Sequence, residues 1–124
     1  MSEYPDFLYS PDDQQEIVIV LHDVFDNCNT PMAVRISAFG ILRVIDLTFD
    51  AAEGSYDKFS VPEGSALVDE ETHSFIVNFL NDQIIRLERK ALYEEYEYFE
   101  KIYLNWVSLL KPLYKRLANK KPFH

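Results

Sequence analysis

Two short patterns in the sequence contain residue types that bind metal ions. Glu70 and His73 have the Glu-x-x-His spacing, which places both side chains on one helix face, as in di-iron helical bundles. Such a site needs that pair twice, with further glutamates on facing helices, and the sequence has no second Glu-x-x-His. We therefore expect Glu70 to favour a helix start. The sequence predicts neither a metal nor a cofactor.

The adjacent His22 and Asp23 form the second pattern. They resemble the His-Asp doublet of the HD family of metal-dependent phosphohydrolases, in which further histidines and aspartates complete the metal site. The two remaining histidines here are His73, in the other half of the chain, and His124. Because a ligand set is hard to assemble from them, His22 is expected to be a structural or surface histidine.

Nucleophilic and phosphate-binding patterns are also lacking. Cys28 has no base near it in the sequence and is expected to be a small buried apolar residue rather than a reactive thiolate. The three glycines, Gly40, Gly54 and Gly64, stand apart and do not form a phosphate-binding loop. We therefore predict that the protein is not an enzyme.

The location expected from the sequence is the cytoplasm. A single cysteine cannot form an internal disulfide, and the first residues lack the positive start and apolar stretch of a secretory signal. The most apolar stretch, residues 31–53, contains five charged side chains, so no membrane span is predicted.

The charge is strongly acidic and unevenly distributed. The formal net charge is −9, with 14 acids and 3 bases in residues 1–70 but 7 acids and 9 bases in residues 71–124. A basic C-terminal tail is predicted at 111–124, with the bases Lys111, Lys115, Arg116, Lys120 and Lys121. The acidic body would repel nucleic acid, so nucleic acid is a poor candidate partner.

Capping residues and apolar spacing predict two helices in the first half. Ser10 followed by Pro11 favours a helix start, although residues 17–21 are also rich in strand-forming residues. Thr30 and Pro31 predict a second helix that ends near Gly54. We expect this helix to be central and buried on nearly all sides. Alanine at Phe39 or Leu42 should then cost about 2 to 5 kcal/mol of stability.

The second half is expected to follow a loop at 54–68. Asp69 resembles a helix cap, and the apolar repeat after it continues to Lys111, where Pro112 should stop or kink the helix. A break near 81–83 is expected, because one helix of over 40 residues is unusual in a compact domain. The sequence thus predicts an all-α, single domain over 1–124, a compact bundle of about five helices.

Two acidic segments are candidate binding surfaces. In residues 93–100 aromatic residues alternate with glutamates; Tyr96 and Phe99 are expected in the core and Tyr98 outside. Carboxylates beside tyrosine rings bind lysine and arginine through charged hydrogen bonds and cation–π contacts. The predicted partner-binding residues are Asp12, Asp13, Glu16, Asp23, Asp26, Tyr93, Glu94, Glu97 and Tyr98.

The functional expectation is a non-enzymatic protein that neutralises a basic protein partner. In size and charge the chain resembles the small acidic immunity proteins that bacteria pair with secreted nuclease toxins. The resemblance implies an inhibitor or immunity protein but identifies no site residue. Two alternatives stay open: a regulatory or adaptor subunit that acts through homo- or hetero-oligomerisation, and a protein that contacts nucleic acid through the tail at 111–124.

Overall fold

The fold is mostly helical, with one small sheet. The computed structural model describes residues 6–55 and 64–123, and their side chains except those of 46–55. The elements are β1 (Asp6–Tyr9), α1 (Pro11–Phe25), α2 (Met32–Ser55), β2 (Ala66–Asp69), α3 (Glu70–Tyr93) and α4 (Glu97–Ala118). Within these ranges there are four helices, so the prediction of about five is wrong, whereas the predominance of helix is confirmed.

The chain forms two compact units. The first contains β1, α1, α2, β2 and the start of α3 as far as His73, together with residues 121–123. The second consists of Ser74–Lys120. None of the helices in the described ranges is long and apolar enough to cross a membrane.

The sheet joins two strands that are distant in the sequence. β1 and β2 are antiparallel, with Phe7 opposite Val68 and Tyr9 opposite Ala66. The backbone N–H of Phe123 also donates to the carbonyl of Asp6 at 2.7 Å. The loop predicted at 54–68 is therefore wrong at its C-terminal end, because residues 66–68 belong to β2; its residues 56–63 lie outside the described part.

The start of α1 agrees with the sequence prediction. The Ser10 hydroxyl accepts a hydrogen bond from the N–H of Asp13 at 3.1 Å, and the Asp13 carboxylate accepts one from the N–H of Ser10 at 3.0 Å. This reciprocal capping box satisfies two donors at the helix end. Residues 17–21 are helical, as predicted. Cys28 is exposed, which contradicts its predicted burial, because α1 ends at Phe25 before the apolar stripe reaches it.

The described side chains of α2 are buried on one face only. Ala38, Ile41 and Ile45 are buried, whereas Ile36 and Phe39 are exposed. A Cβ atom added at Gly40 would meet no atom within 4 Å, so none of the helices in the described ranges packs closely there. The prediction of burial on nearly all sides is therefore wrong for residues 32–45. An apolar composition around the whole helix does not by itself specify what covers it.

The break in the second helical half lies at residues 94–96 rather than at 81–83. Tyr96 has an extended backbone, with φ −98° and ψ 118°, and α4 begins after it. The last buried side chain of α3 is Ala91 and the first of α4 is Tyr103, twelve positions later. At about 100° per residue, twelve positions displace the apolar stripe by about 120°. One continuous helix could not bury both stripes on the same face.

Pro112 does not end the last helix. α4 continues through it to Ala118, so of the predicted stop or kink at this point the stop is wrong, and most of the predicted tail is helical. The ring of Pro112 is exposed, while Leu110, Leu113 and Leu117 are fully buried. Burial of three leucines is worth about 1.5 to 3 kcal/mol each, which exceeds the cost of about 3 kcal/mol for an internal proline.

The burial pattern of α2 makes a pair of substitutions informative. Ile41→Ala should lower the free energy of unfolding by about 2 to 5 kcal/mol, because it empties a packed site. Phe39→Ala should cost less, although it removes a larger side chain, because 43% of Phe39 is exposed. Urea denaturation of both variants measures the difference. A larger loss at Phe39 would contradict the described orientation of α2.

Pro112 supplies a stability test of α4. Pro112→Ala should raise the free energy of unfolding by up to about 3 kcal/mol, because it restores a backbone N–H opposite the carbonyl of Ser108. Pro122→Ala is the matched control, since Pro122 is exposed and lies outside any helix. Thermal melts of the two variants provide the comparison. An unchanged or lower stability of Pro112→Ala would show that α4 bends to accommodate the ring.

Candidate partner-binding site

His73, the histidine of the Glu-x-x-His pattern, is buried against two aromatic side chains. The His73 ring stacks on Phe7 with centroids 3.8 Å apart, and its Nδ1 is hydrogen-bonded to the Tyr9 hydroxyl at 2.7 Å. Burial, and secondly the nearby Asp13 carboxylate, raise the pKa of Tyr9 above its usual range. His73 therefore ties the start of α3 to β1.

The metal-binding patterns do not assemble into a site. His22 is exposed, and its Nδ1 lies 3.9 Å from a carboxylate oxygen of Asp26. In the described ranges, no group of three or more histidine, cysteine, aspartate or glutamate side chains is arranged to hold a metal ion.

The acidic residues of α1 are unequally available to a partner. Asp13 is buried and engaged in the capping box, so it is no longer a candidate contact. Asp26 lies 3.8 Å from a guanidinium nitrogen of Arg35, which offsets part of its charge. Asp12 and Asp23 are exposed, and Glu16 is partly exposed. This surface therefore offers carboxylates without an exposed aromatic residue beside them in α1.

The connection between α3 and α4 has a different character, because large apolar side chains project from it into solvent. The exposed fractions are 75% for Leu92, 80% for Tyr93, 68% for Tyr96, 71% for Tyr98 and 37% for Phe99. Four glutamates lie among them. We call these nine residues the turn cluster: Leu92, Tyr93, Glu94, Glu95, Tyr96, Glu97, Tyr98, Phe99 and Glu100.

The aromatic rings of the turn cluster contact one another. Phe99 meets Tyr98 edge to face with centroids 5.4 Å apart, and it meets Tyr96 in the same way at 6.3 Å. Edge-to-face pairs at these distances are favourable and restrict the motion of the rings. The turn cluster therefore presents a partly ordered aromatic surface.

Two carboxylates of the turn cluster are held by local contacts. An oxygen of Glu94 accepts a hydrogen bond from the N–H of Tyr96 at 3.2 Å, which fixes the extended residue before α4. Glu97 pairs with Lys101 at 3.0 Å, and both side chains are largely exposed. An exposed pair of this kind is worth at most about 1 kcal/mol, so a cationic partner can displace the lysine.

The structure brings together four of the predicted site residues: Tyr93, Glu94, Glu97 and Tyr98. Sequence reasoning assigned Tyr96 and Phe99 to the core, because they continue the apolar repeat, and it did not single out Leu92. The run of four glutamates within seven residues was the available signal, since a core-facing helix of a small protein is rarely so acidic.

No family model, no curated protein and no solved structure matches this chain.

The buried Tyr9 predicts a loss of stability at alkaline pH. Its pKa is raised in the folded state, so its contribution is fully present below about pH 10, the ordinary tyrosine pKa, and is lost as the pH rises above it. The free energy of unfolding should fall above that pH in the wild type and fall less steeply in Tyr9→Phe. Tyr98→Phe, at an exposed ring, is the control. Equal slopes for wild type and Tyr9→Phe would contradict this role.

Proposed function

We propose that this chain is a non-enzymatic binding protein that neutralises a basic protein partner through the turn cluster. In biological terms it acts as an immunity or inhibitor protein against a nuclease toxin, in the cytoplasm. The single observation that carries the proposal is the set of exposed aromatic side chains among four carboxylates between α3 and α4.

The aromatic part of the turn cluster supports a binding role. A tyrosine buries 150 to 250 Å² when it is covered, on the order of several kcal/mol of apolar burial at about 25 cal/mol per Å². Interface centres are enriched in tyrosine and draw most of their energy from a few such anchors. Tyr93 and Tyr98 have the greatest exposed fractions of the cluster's aromatic residues and are therefore the proposed anchors.

The carboxylates support a basic partner. Four glutamates occur in residues 92–100, with no basic residue among them. Their charge can complement the lysines and arginines with which a nuclease holds phosphate, and complementary charge speeds encounter between proteins. Covering that cationic surface would exclude the nucleic acid, so inhibition requires no catalytic group on this chain.

The proposal is tested by capture and charge reversal. Immobilised wild-type protein is incubated with a lysate of the native host. We expect it to capture a basic protein whose nuclease activity falls when the complex forms. Added salt should slow the association. Tyr98→Ala should weaken affinity by about 2 kcal/mol or more, a rise in Kd of about 30-fold. The double reversal Glu94→Lys and Glu97→Lys should weaken it further.

Two matched controls separate the turn cluster from general effects. Phe75→Ala removes an exposed aromatic residue elsewhere on α3 and should leave the affinity unchanged. The double variant Asp12→Lys and Asp23→Lys changes the net charge by as much as the double reversal in the turn cluster, but on α1. It should alter mainly the association rate. The proposal is wrong if the captured protein is acidic, or if the cluster variants bind as the wild type does.

A further inference from the structure

A basic groove lies beside the turn cluster, within the second compact unit. It has a volume of about 720 Å³ and is open to solvent. Its lining contains three cationic side chains, one carboxylate and two large side chains with apolar surface. These residues are Asp82, Ile85, Arg86, Arg89, Lys90 and Tyr93.

The cations of the groove have no acidic partner in the described part of the chain. There, no carboxylate oxygen lies within 4.0 Å of a charged nitrogen of Arg86, Arg89 or Lys90. Arg86 Nε instead donates to the side-chain oxygen of buried Gln83 at 2.7 Å, which orients the guanidinium. An oriented guanidinium with unused donors is a binding group for a carboxylate.

The apolar lining restricts the occupant further. Tyr93 is largely exposed and offers its ring beside the cations, and Ile85, which is 41% exposed, offers aliphatic surface. An occupant that matches this groove carries carboxylates together with aromatic side chains. Nucleic acid fits less well, because the net charge of −9 on the whole chain opposes it.

The turn cluster of this protein has the required combination. It carries four glutamates and four aromatic rings, and it adjoins the groove because Tyr93 belongs to both. A surface with a basic half next to an acidic half is self-complementary about a two-fold axis, since each half of one copy meets the opposite half of the other.

We infer that two copies of this chain pair through a two-fold contact, in which the turn cluster of each copy occupies the basic groove of the other. The two copies repel at long range because each has a net charge of −9, but at physiological ionic strength screening acts beyond about 8 Å. The short contacts between carboxylates and guanidinium groups persist. The dimer is consequently weak and exchanges readily with monomer.

The contact covers the surface that the proposed basic partner needs. Self-association and partner binding are then mutually exclusive, and the captured complex contains one copy of this chain. The pairing depends on the groove as well as on the cluster, whereas the proposed function depends on the cluster only. Experiments can therefore contradict the pairing without contradicting the proposed function. A monomeric wild type that still binds a basic partner through Tyr98 would refute the pairing alone.

A charge-swap experiment on the full chain tests the pairing. One variant carries Arg89→Glu and Lys90→Glu in the groove, and a second carries Glu94→Lys and Glu97→Lys in the cluster. In a dimer of either variant alone, the groove and the cluster that meet would carry like charges. Sedimentation of each variant should therefore give the monomer mass of 14.6 kDa. An equimolar mixture restores both contacts and should give twice that mass, as should concentrated wild-type protein.

Controls of equal charge change are available outside both surfaces. Asp12→Lys with Asp23→Lys matches the cluster reversal, and Lys115→Glu with Lys121→Glu matches the groove reversal; all four residues are exposed. Both controls should still dimerise, and circular dichroism should give helical spectra for every variant. A monomeric wild type, a dimer that survives either reversal, or a mixture that stays monomeric would overturn the inference. A monomer that binds an unrelated acidic peptide in the groove would overturn it too.

Discussion

The pairing of β1 with β2 is the constraint on which the first compact unit depends. The two four-residue strands lie before α1 and after α2 in the sequence, so their pairing brings the two ends of this segment together. The side chain of Gln14 adds to this closure, since its amide donates to the carbonyls of both Tyr9 and Gly64. The same pairing places Tyr9 and Phe7 against His73, so the first turn of α3 has a fixed starting position.

Local signals in the sequence were sufficient for the starts of α1 and α3. The capping box at Ser10 and the bond from the N–H of Thr72 to Asp69 both involve residues within three positions, and such patterns are readable without a fold. The strands were not readable, because a four-residue segment has little periodicity and its partner is distant. The break at 94–96 also lacks glycine and proline, and only the change in phase of the apolar stripe marks it.

Exposure was the least predictable property, and it decides the candidate site. A hydrophobic residue in a helical repeat is assigned to a core by default, which is correct for Leu87 and Leu110 and wrong for Tyr96 and Phe39. The alternation of glutamate and tyrosine was interpreted as a candidate binding pattern. The groove beside it was not, because Arg86 and Arg89 resemble the usual charged residues of a solvated helix until it is known that, among the described residues, no carboxylate lies within 4.0 Å of their charged nitrogens.

The hydrogen bond from Phe123 to Asp6 has a consequence for how the chain is made. β1 leaves the ribosome well before Phe123, which is synthesised more than one hundred residues later. At 5 to 20 residues per second, the strand waits on the order of 10 s before that bond can form. During this interval its edge is open to other nascent chains, a situation in which strands aggregate. Asp6, at the start of the strand, carries a charge that discourages such encounters.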